Sequence, residues 1–191
     1  MEHVFVEEEI FEKQDYTETS LPKGDYEYCT FSSCNFSNSN LSEIKFIECA
    51  FVDCNLSTTN IHKTSLQDVK FKGCKMLGLH FENCNEFGLS FSFENCQLNH
   101  SSFYKTKIRK TAFENTQLHE VDFTECDLTE STFDDCDLSR AVFDRTILEK
   151  SDLRSAFNYS IDPQTNSIKK AKFSLQGVTG LLDTFGILIE S

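Results

Sequence analysis

No apolar run in the 191-residue sequence approaches the length that spans a bilayer. The first residues, Met1-Glu2-His3-Val4-Phe5-Val6-Glu7-Glu8-Glu9, lack the positive stretch and following apolar stretch of a secretory signal. Both absences lead to the expectation of a soluble, cytoplasmic protein. Cations are scarce: 18 Lys and Arg stand against 31 Asp and Glu, for a formal net charge of −13. Phosphate contacts need concentrated Lys and Arg, so direct nucleic-acid binding is not expected and a basic partner is the natural one. No P-loop, dinucleotide fingerprint or zinc-ligand spacing occurs, and His3, His62, His80, His100 and His119 are scattered. The expectation is a protein with no cofactor, no metal and no enzymatic activity. Tryptophan is absent as well, and 19 phenylalanines carry the apolar mass.

The period of 3.6 for an amphipathic helix and the period of two for a half-buried strand are also missing from most of the chain. A period of five takes their place. In Cys126-Asp127-Leu128, Ser131-Thr132-Phe133 and Cys136-Asp137-Leu138 a small residue, a polar residue and a large apolar one recur every five positions. The large residue, the repeat centre, runs through Phe31, Phe36, Leu41, Phe46, Phe51, Leu56, Ile61, Leu66, Phe71, Met76 and Phe81. After a slip it continues through Phe93, Leu98, Phe103, Ile108, Phe113, Leu118, Phe123, Leu128, Phe133, Leu138, Phe143, Leu148 and Leu153. Two extra residues therefore enter between Asn85 and Phe93, with Gly88 as the expected bend. Such a tandem pattern specifies a solenoid that buries its core turn on turn.

Nine cysteines lie two residues before a centre, in a slot shared with Ser, Thr, Val and Ala. The slot asks for a compact inward residue, and a free thiol serves as a small hydrophobe. An odd count without CxxC spacing fits reduced thiols.

Three segments follow. Residues 1–27 form an N-terminal cap and imperfect first coil, residues 28–157 the regular repeat with its register break near 85–93, and residues 158–191 a turn, a last coil and a C-terminal helix. In that last segment Leu175, Val178, Leu181, Leu182 and Phe185 recur at helical spacing before Gly186. Gly177 and Gly180 weaken a free-standing helix, so it needs a surface to pack on.

The small-polar-(Leu/Phe) tandem over about residues 26–157 resembles the pentapeptide repeat family. The resemblance implies an all-β fold, a right-handed quadrilateral β-helix with four pentapeptides per coil and coils stacked about 4.8 Å apart. Within the family the chain is similar to the Qnr fluoroquinolone-protection and microcin-immunity group. The likeness lies in its length, its Cys/Phe-rich core, the Gly-Leu-Ser-Phe break, the Asp162-Pro163 turn and the apolar end Gly186-Ile187-Leu188-Ile189. That likeness implies a homodimer through the C-terminal segment; Leu181, Leu182 and Phe185 then either bury apolar surface against a partner copy or cap the last coil. It also implies DNA mimicry toward a type II topoisomerase, DNA gyrase or topoisomerase IV, with protection from a quinolone or a toxin as its use. The alternative is an interaction rod with another protein partner.

With four repeats per coil, residues twenty apart stack. Phe31, Phe51, Phe71 and Phe91 then form one aromatic column and Phe93, Phe113 and Phe133 another. Lys105, Glu125 and Arg145 alternate in sign, as do Lys110, Glu130 and Lys150, which makes them charge ladders between coils. The column Glu94, Glu114 and Asp134, with Asp135 beside it, meets no cation until Arg154 and is the candidate partner-binding face. From Glu114 to Asp152 twelve acidic residues stand against three basic ones, net −9.

Overall fold

The computed structural model describes residues 3–189 and forms a parallel, four-sided β-solenoid. The outermost residues of the expected cap and C-terminal segment, 1–2 and 190–191, lie outside the described part. One side carries a four-stranded sheet built from β1 (Val4–Glu7), Gly24–Glu27, Lys45–Ile47 and Ser65–Gln67. A second side carries nine strands, from β2 (Ile10–Glu12) through Thr30–Ser32, Ala50–Val52, Val69–Lys72, Phe91–Glu94, Ala112–Glu114, Thr132–Asp134 and Asp152–Leu153 to Lys172–Phe173. Single bridges such as Asn35 to Asn55 and Ser102 to Asp122 link the coils on the other sides.

The five-residue period sets this geometry through one backbone rule. In each repeat the centre and the small residue two before it point inward, and the residue two after it turns the corner. That corner residue is left-handed: Lys105 (φ 58), Glu125 (φ 56) and Arg145 (φ 51) are typical, and 25 non-glycine residues among those described have positive φ. A left-handed residue with a Cβ costs about 1–2 kcal/mol. The cost is offset by what the corners enclose, since burying each Phe contributes roughly 1.5–3 kcal/mol.

The enclosed core is a set of ring columns. Phe11, Phe31, Phe51, Phe71, Phe93, Phe113 and Phe133 stack face to face with centroids 4.7–5.4 Å apart. From the opposite side Phe81, Phe103, Phe123 and Phe143 stack at 4.4–5.3 Å. The two columns meet edge to face mid-rod, as between Phe103 and Phe113 at 88°, the arrangement the ring quadrupoles favour.

Phe91 does not belong to the first column, contrary to the twenty-residue arithmetic. Phe71 pairs in register with Phe93, and Val69 with Phe91. The corner Asn85–Ser90, turned by Gly88 (φ +70), absorbs both extra residues. Stacking therefore continues unbroken with an offset of 22 there. Phe91 occupies a small-residue slot, where its ring fills the widened corner against Phe81, Phe93 and Phe103.

The small slot has a second job that its compactness alone does not reveal. Its side chain donates to the carbonyl of a centre in the coil beneath: Cys54 Sγ to Phe31 O (3.3 Å), Thr59 Oγ1 to Phe36 O (2.7 Å) and Thr146 Oγ1 to Phe123 O (2.8 Å). Across the break the same bond runs from Cys96 Sγ to Phe71 O (3.4 Å). Cys, Ser and Thr recur in the slot because each is small and carries a donor. All nine cysteines are free, eight of them buried and Cys84 half-buried. Burial pushes the Cys49, Cys126 and Cys136 thiols up to about 12.

The far end is closed by two short 3-10 segments, Gly177–Leu181 and Asp183–Phe185, where the sequence predicts an amphipathic helix. The two glycines explain the difference. A Cβ on Gly180 would lie 2.2 Å from the Tyr159 carbonyl oxygen, and one on Gly177 2.2 Å from the Tyr159 hydroxyl. The backbone comes that close to Tyr159, and Ile161 N donates to Gly180 O at 2.9 Å.

A candidate protein-interaction face

Glu94, Glu114 and Asp134 follow the core residues Phe93, Phe113 and Phe133 on three successive strands of the nine-stranded sheet. The strands pair Glu94 with Glu114 and Glu114 with Asp134 in register, so the three carboxylates form one ridge. Asp135 occupies the left-handed corner next to Asp134 (φ 50). All four sequence-predicted residues thus come together on one edge of one face. Glu114, Asp134 and Asp135 are exposed, and among the described residues none of the three makes an ion pair.

The ends of the ridge differ from expectation. Lys72 Nζ sits 2.7 Å from Glu94 Oε1, a cation the twenty-residue offset places two positions away from its true partner. Arg154 does not reach the ridge with its side chain and pairs with Asp152 at 2.8 Å. Asp134 instead accepts a hydrogen bond from Ser155 Oγ at 2.6 Å.

The surrounding charge is more balanced than the count from 114 to 152 indicates. Glu125 lies between Lys105 (3.6 Å) and Arg145 (2.9 Å), and Glu130 between Lys110 (3.8 Å) and Lys150 (2.7 Å). Hydrogen bonds from Arg145 and Lys150 hold these two carboxyls below the usual range. Glu120 forms a third ladder with His100 and Arg140. Asp127 pairs with Arg109 at 2.7 Å. Asp137 is half-buried. Desolvation favours its neutral form, but hydrogen bonds from Ser139, Asn158 and His119 outweigh that and hold it at about 2. The net effect leaves Glu114, Asp134 and Asp135 as a short strip of unpaired carboxylate beside neutralised ladders, with Glu94 capped by Lys72.

His100 and His119 are adjacent through their backbones (2.9 Å) while their rings engage different carboxylates, Glu120 and Asp137. Among the described residues no three His, Cys, Asp or Glu side chains group as metal ligands.

At the C-terminal end the three predicted interface residues divide. Leu181 is 9% exposed and joins the core, Leu182 is half-buried, and Phe185 is 48% exposed. Val178, Ile187, Leu188 and Ile189 are exposed near it in the chain. Sequence reasoning missed the partition because helical spacing treats all three alike. An open groove lined by Asp135, Arg140, Arg154 and Asp183 connects this end to the ridge. No helix among the described residues is long and apolar enough to cross a membrane.

The sequence model of the pentapeptide repeat region matches residues 25–92 and 79–153. Two solved structures of trypsin-treated variants of QnrB1, described as a plasmid-mediated fluoroquinolone resistance protein, are similar to the chain. One has 16% identity, covers 98% of this chain and 92% of its own, and has a TM-score of 0.65. The other has 16% identity, 98% coverage of each chain and a TM-score of 0.61. A third, HetL from the cyanobacterium Nostoc, has 14% identity, covers 89% of this chain and 85% of its own, and has a TM-score of 0.48. At these identities the likeness to QnrB1 is one of fold. No curated protein sequence matches significantly.

Proposed function

The chain belongs to the pentapeptide repeat family, and from that premise we propose that it is a DNA-mimicking binding protein for a type II topoisomerase, gyrase or topoisomerase IV. The observation that carries this reading is the in-register carboxylate ridge of Glu94, Glu114 and Asp134, with Asp135 beside it. Coils about 4.8 Å apart set one charge per step on a stiff sheet. One strand of a duplex sets one about every 3.4 Å. The ridge therefore approaches the charge spacing of a single strand, and the basic saddle that holds DNA in such an enzyme is the complementary surface. Neighbouring ladders are self-neutralised, which concentrates the field on the ridge. The fold shared with QnrB1 makes protection from a quinolone the first use to test.

The test adds the purified chain to gyrase and to topoisomerase IV in supercoiling and decatenation assays, with and without a quinolone. A dose-dependent change in either activity supports the proposal, and no effect on either enzyme contradicts it.

The same proposal includes a homodimer through Leu182 and Phe185 and the exposed Ile187–Ile189 segment, with Leu181 closing the last coil from within. Light scattering should give twice the chain mass, and Leu182→Asp or Phe185→Asp should reduce it to the monomer. A folded monomeric wild type would contradict the dimer. The second reading is an interaction rod for another basic protein, favoured by the capping of the ridge by Lys72, which shortens the strip available to imitate DNA.

A further inference from the structure

The two ends of the solenoid are not equivalent. The C-terminal end is covered by Gly177–Leu181, seated on Tyr159 with Leu181 in the core. The N-terminal end is an open sheet edge, since β1 and β2 are the terminal strands of both sheets. In later coils the residue before each centre donates its N–H to the coil beneath, as Ala50 N does to Cys29 O (2.9 Å) and Asn55 N to Cys34 O (3.0 Å). The equivalent residues of the first coil are Phe5 and Ile10, and among the described residues no coil lies beneath them. Their side chains are 63% and 66% exposed. The inward Val6 and Phe11 are only half-buried and present the open end of the core.

Edge strands of this kind are templates for another strand unless something blocks them. Here the block is selective. Glu7, Glu8, Glu9 and Glu12 crowd the edge. A second copy arriving head to head would set these four carboxylates against their equivalents, and one arriving tail first would present its closed C-terminal turns. A basic strand meets neither obstacle. We propose that this edge binds an extended, basic, alternately apolar segment of a partner protein by strand addition. The added segment supplies backbone partners for Phe5 on one side and, bending with the Glu8 corner, for Ile10 on the next; it covers Val6 and Phe11 with its apolar side chains and sets its cations against Glu7 and Glu12. This surface is at the opposite end of the molecule from the C-terminal segment and is separate from the acidic ridge, so it stands or falls independently of the topoisomerase reading.

The probe is a fluorescent Lys-Val-Lys-Val-Lys-Val-Lys peptide, titrated into the full chain and followed by anisotropy and by amide exchange in NMR spectra. Binding should slow exchange at the Phe5 and Ile10 amides. A fully N-methylated analogue keeps charge, side chains and carbonyl acceptors but cannot donate to the carbonyls of the edge and sets methyl groups against it, so it should bind about tenfold more weakly. Ile10→Pro removes an outward donor at an edge position where proline is tolerated, and this variant should weaken the parent peptide similarly while its circular dichroism stays that of the wild type. Equal binding of the methylated analogue, indifference to Ile10→Pro, or no binding at all would overturn strand addition. So would concentration-dependent protection of the same amides without peptide, which would identify a second copy as the occupant.

Discussion

Replacing Gly180 by alanine inserts one methyl group where the Tyr159 carbonyl oxygen lies 2.2 Å from the ideal Cβ position. Neither the backbone oxygen nor the turn can yield without separating the 3-10 segment from the last coil. Overpacking of this sort costs about 1–3 kcal/mol. What holds the turn in place is comparable: burial of Leu181, worth roughly 1.5–3 kcal/mol, and the bond from Ile161 N to Gly180 O, worth about 1 kcal/mol. The variant should therefore open its cap while the coils beneath remain folded. The readout is native-state hydrogen exchange at the Ile161 amide, which should quicken by about 5- to 150-fold. Thr179→Ala, one residue away and exposed, should leave that amide within the scatter expected of a surface change, about 0.5 kcal/mol. An Ile161 amide that exchanges equally slowly in Gly180→Ala would refute the close approach and the capping role built on it.

Two further outcomes follow from groups described above. In native protein at neutral pH a thiol reagent should modify no more than the half-buried Cys84 quickly, and all nine cysteines after unfolding; fast native labelling of several would contradict the inward slot. The Asp137 carboxyl should titrate near 2 in the folded protein. Because this folded value lies below the unfolded one, its stabilising contribution should be complete above about pH 4 and fade as pH falls through about 2. Accordingly, Asp137→Asn should destabilise at neutral pH and approach the wild type in acid; an Asp137 midpoint at an ordinary carboxylate value would contradict the hydrogen-bond account.

The five-residue period made the coil legible in the sequence, because the same spacing selects the inward residues and the corners. Wherever consecutive coils differ by twenty residues, contacts follow arithmetically: Lys105 with Glu125, Glu125 with Arg145, Glu94 and Glu114 with Asp134 beyond the break. At the break itself the arithmetic fails by two. That is why an offset of twenty sets Phe91 over Phe71 and finds Glu94 no cation before Arg154. Adding two to the offset once the corner loop is known recovers both the Phe71–Phe93 stack and the Lys72–Glu94 pair. The C-terminal turn was less legible for a different reason. Gly177 and Gly180 read as helix weakeners in isolation, whereas their function is close approach to Tyr159, a contact made by residues with no shared periodicity. The donor role of Cys, Ser and Thr was hidden too, since a compact residue and a compact donor look alike until the carbonyl beneath is in view.

The most direct test of the account neutralises the ridge in one variant, Glu94→Gln, Glu114→Gln, Asp134→Asn and Asp135→Asn, and measures its affinity for gyrase and topoisomerase IV across a salt series. Each substitution keeps an oxygen acceptor, so Asp134→Asn retains the bond from Ser155, and the single ion pair lost, Lys72 with Glu94, is a surface pair worth about 0–1 kcal/mol. The fold should survive. Wild-type binding should weaken steeply as salt rises, and the variant should bind about tenfold more weakly or less at low salt, with a flatter salt dependence. Wild-type protein that binds neither enzyme at low salt, or a neutralised variant that binds as well as the wild type, would contradict DNA mimicry by this face.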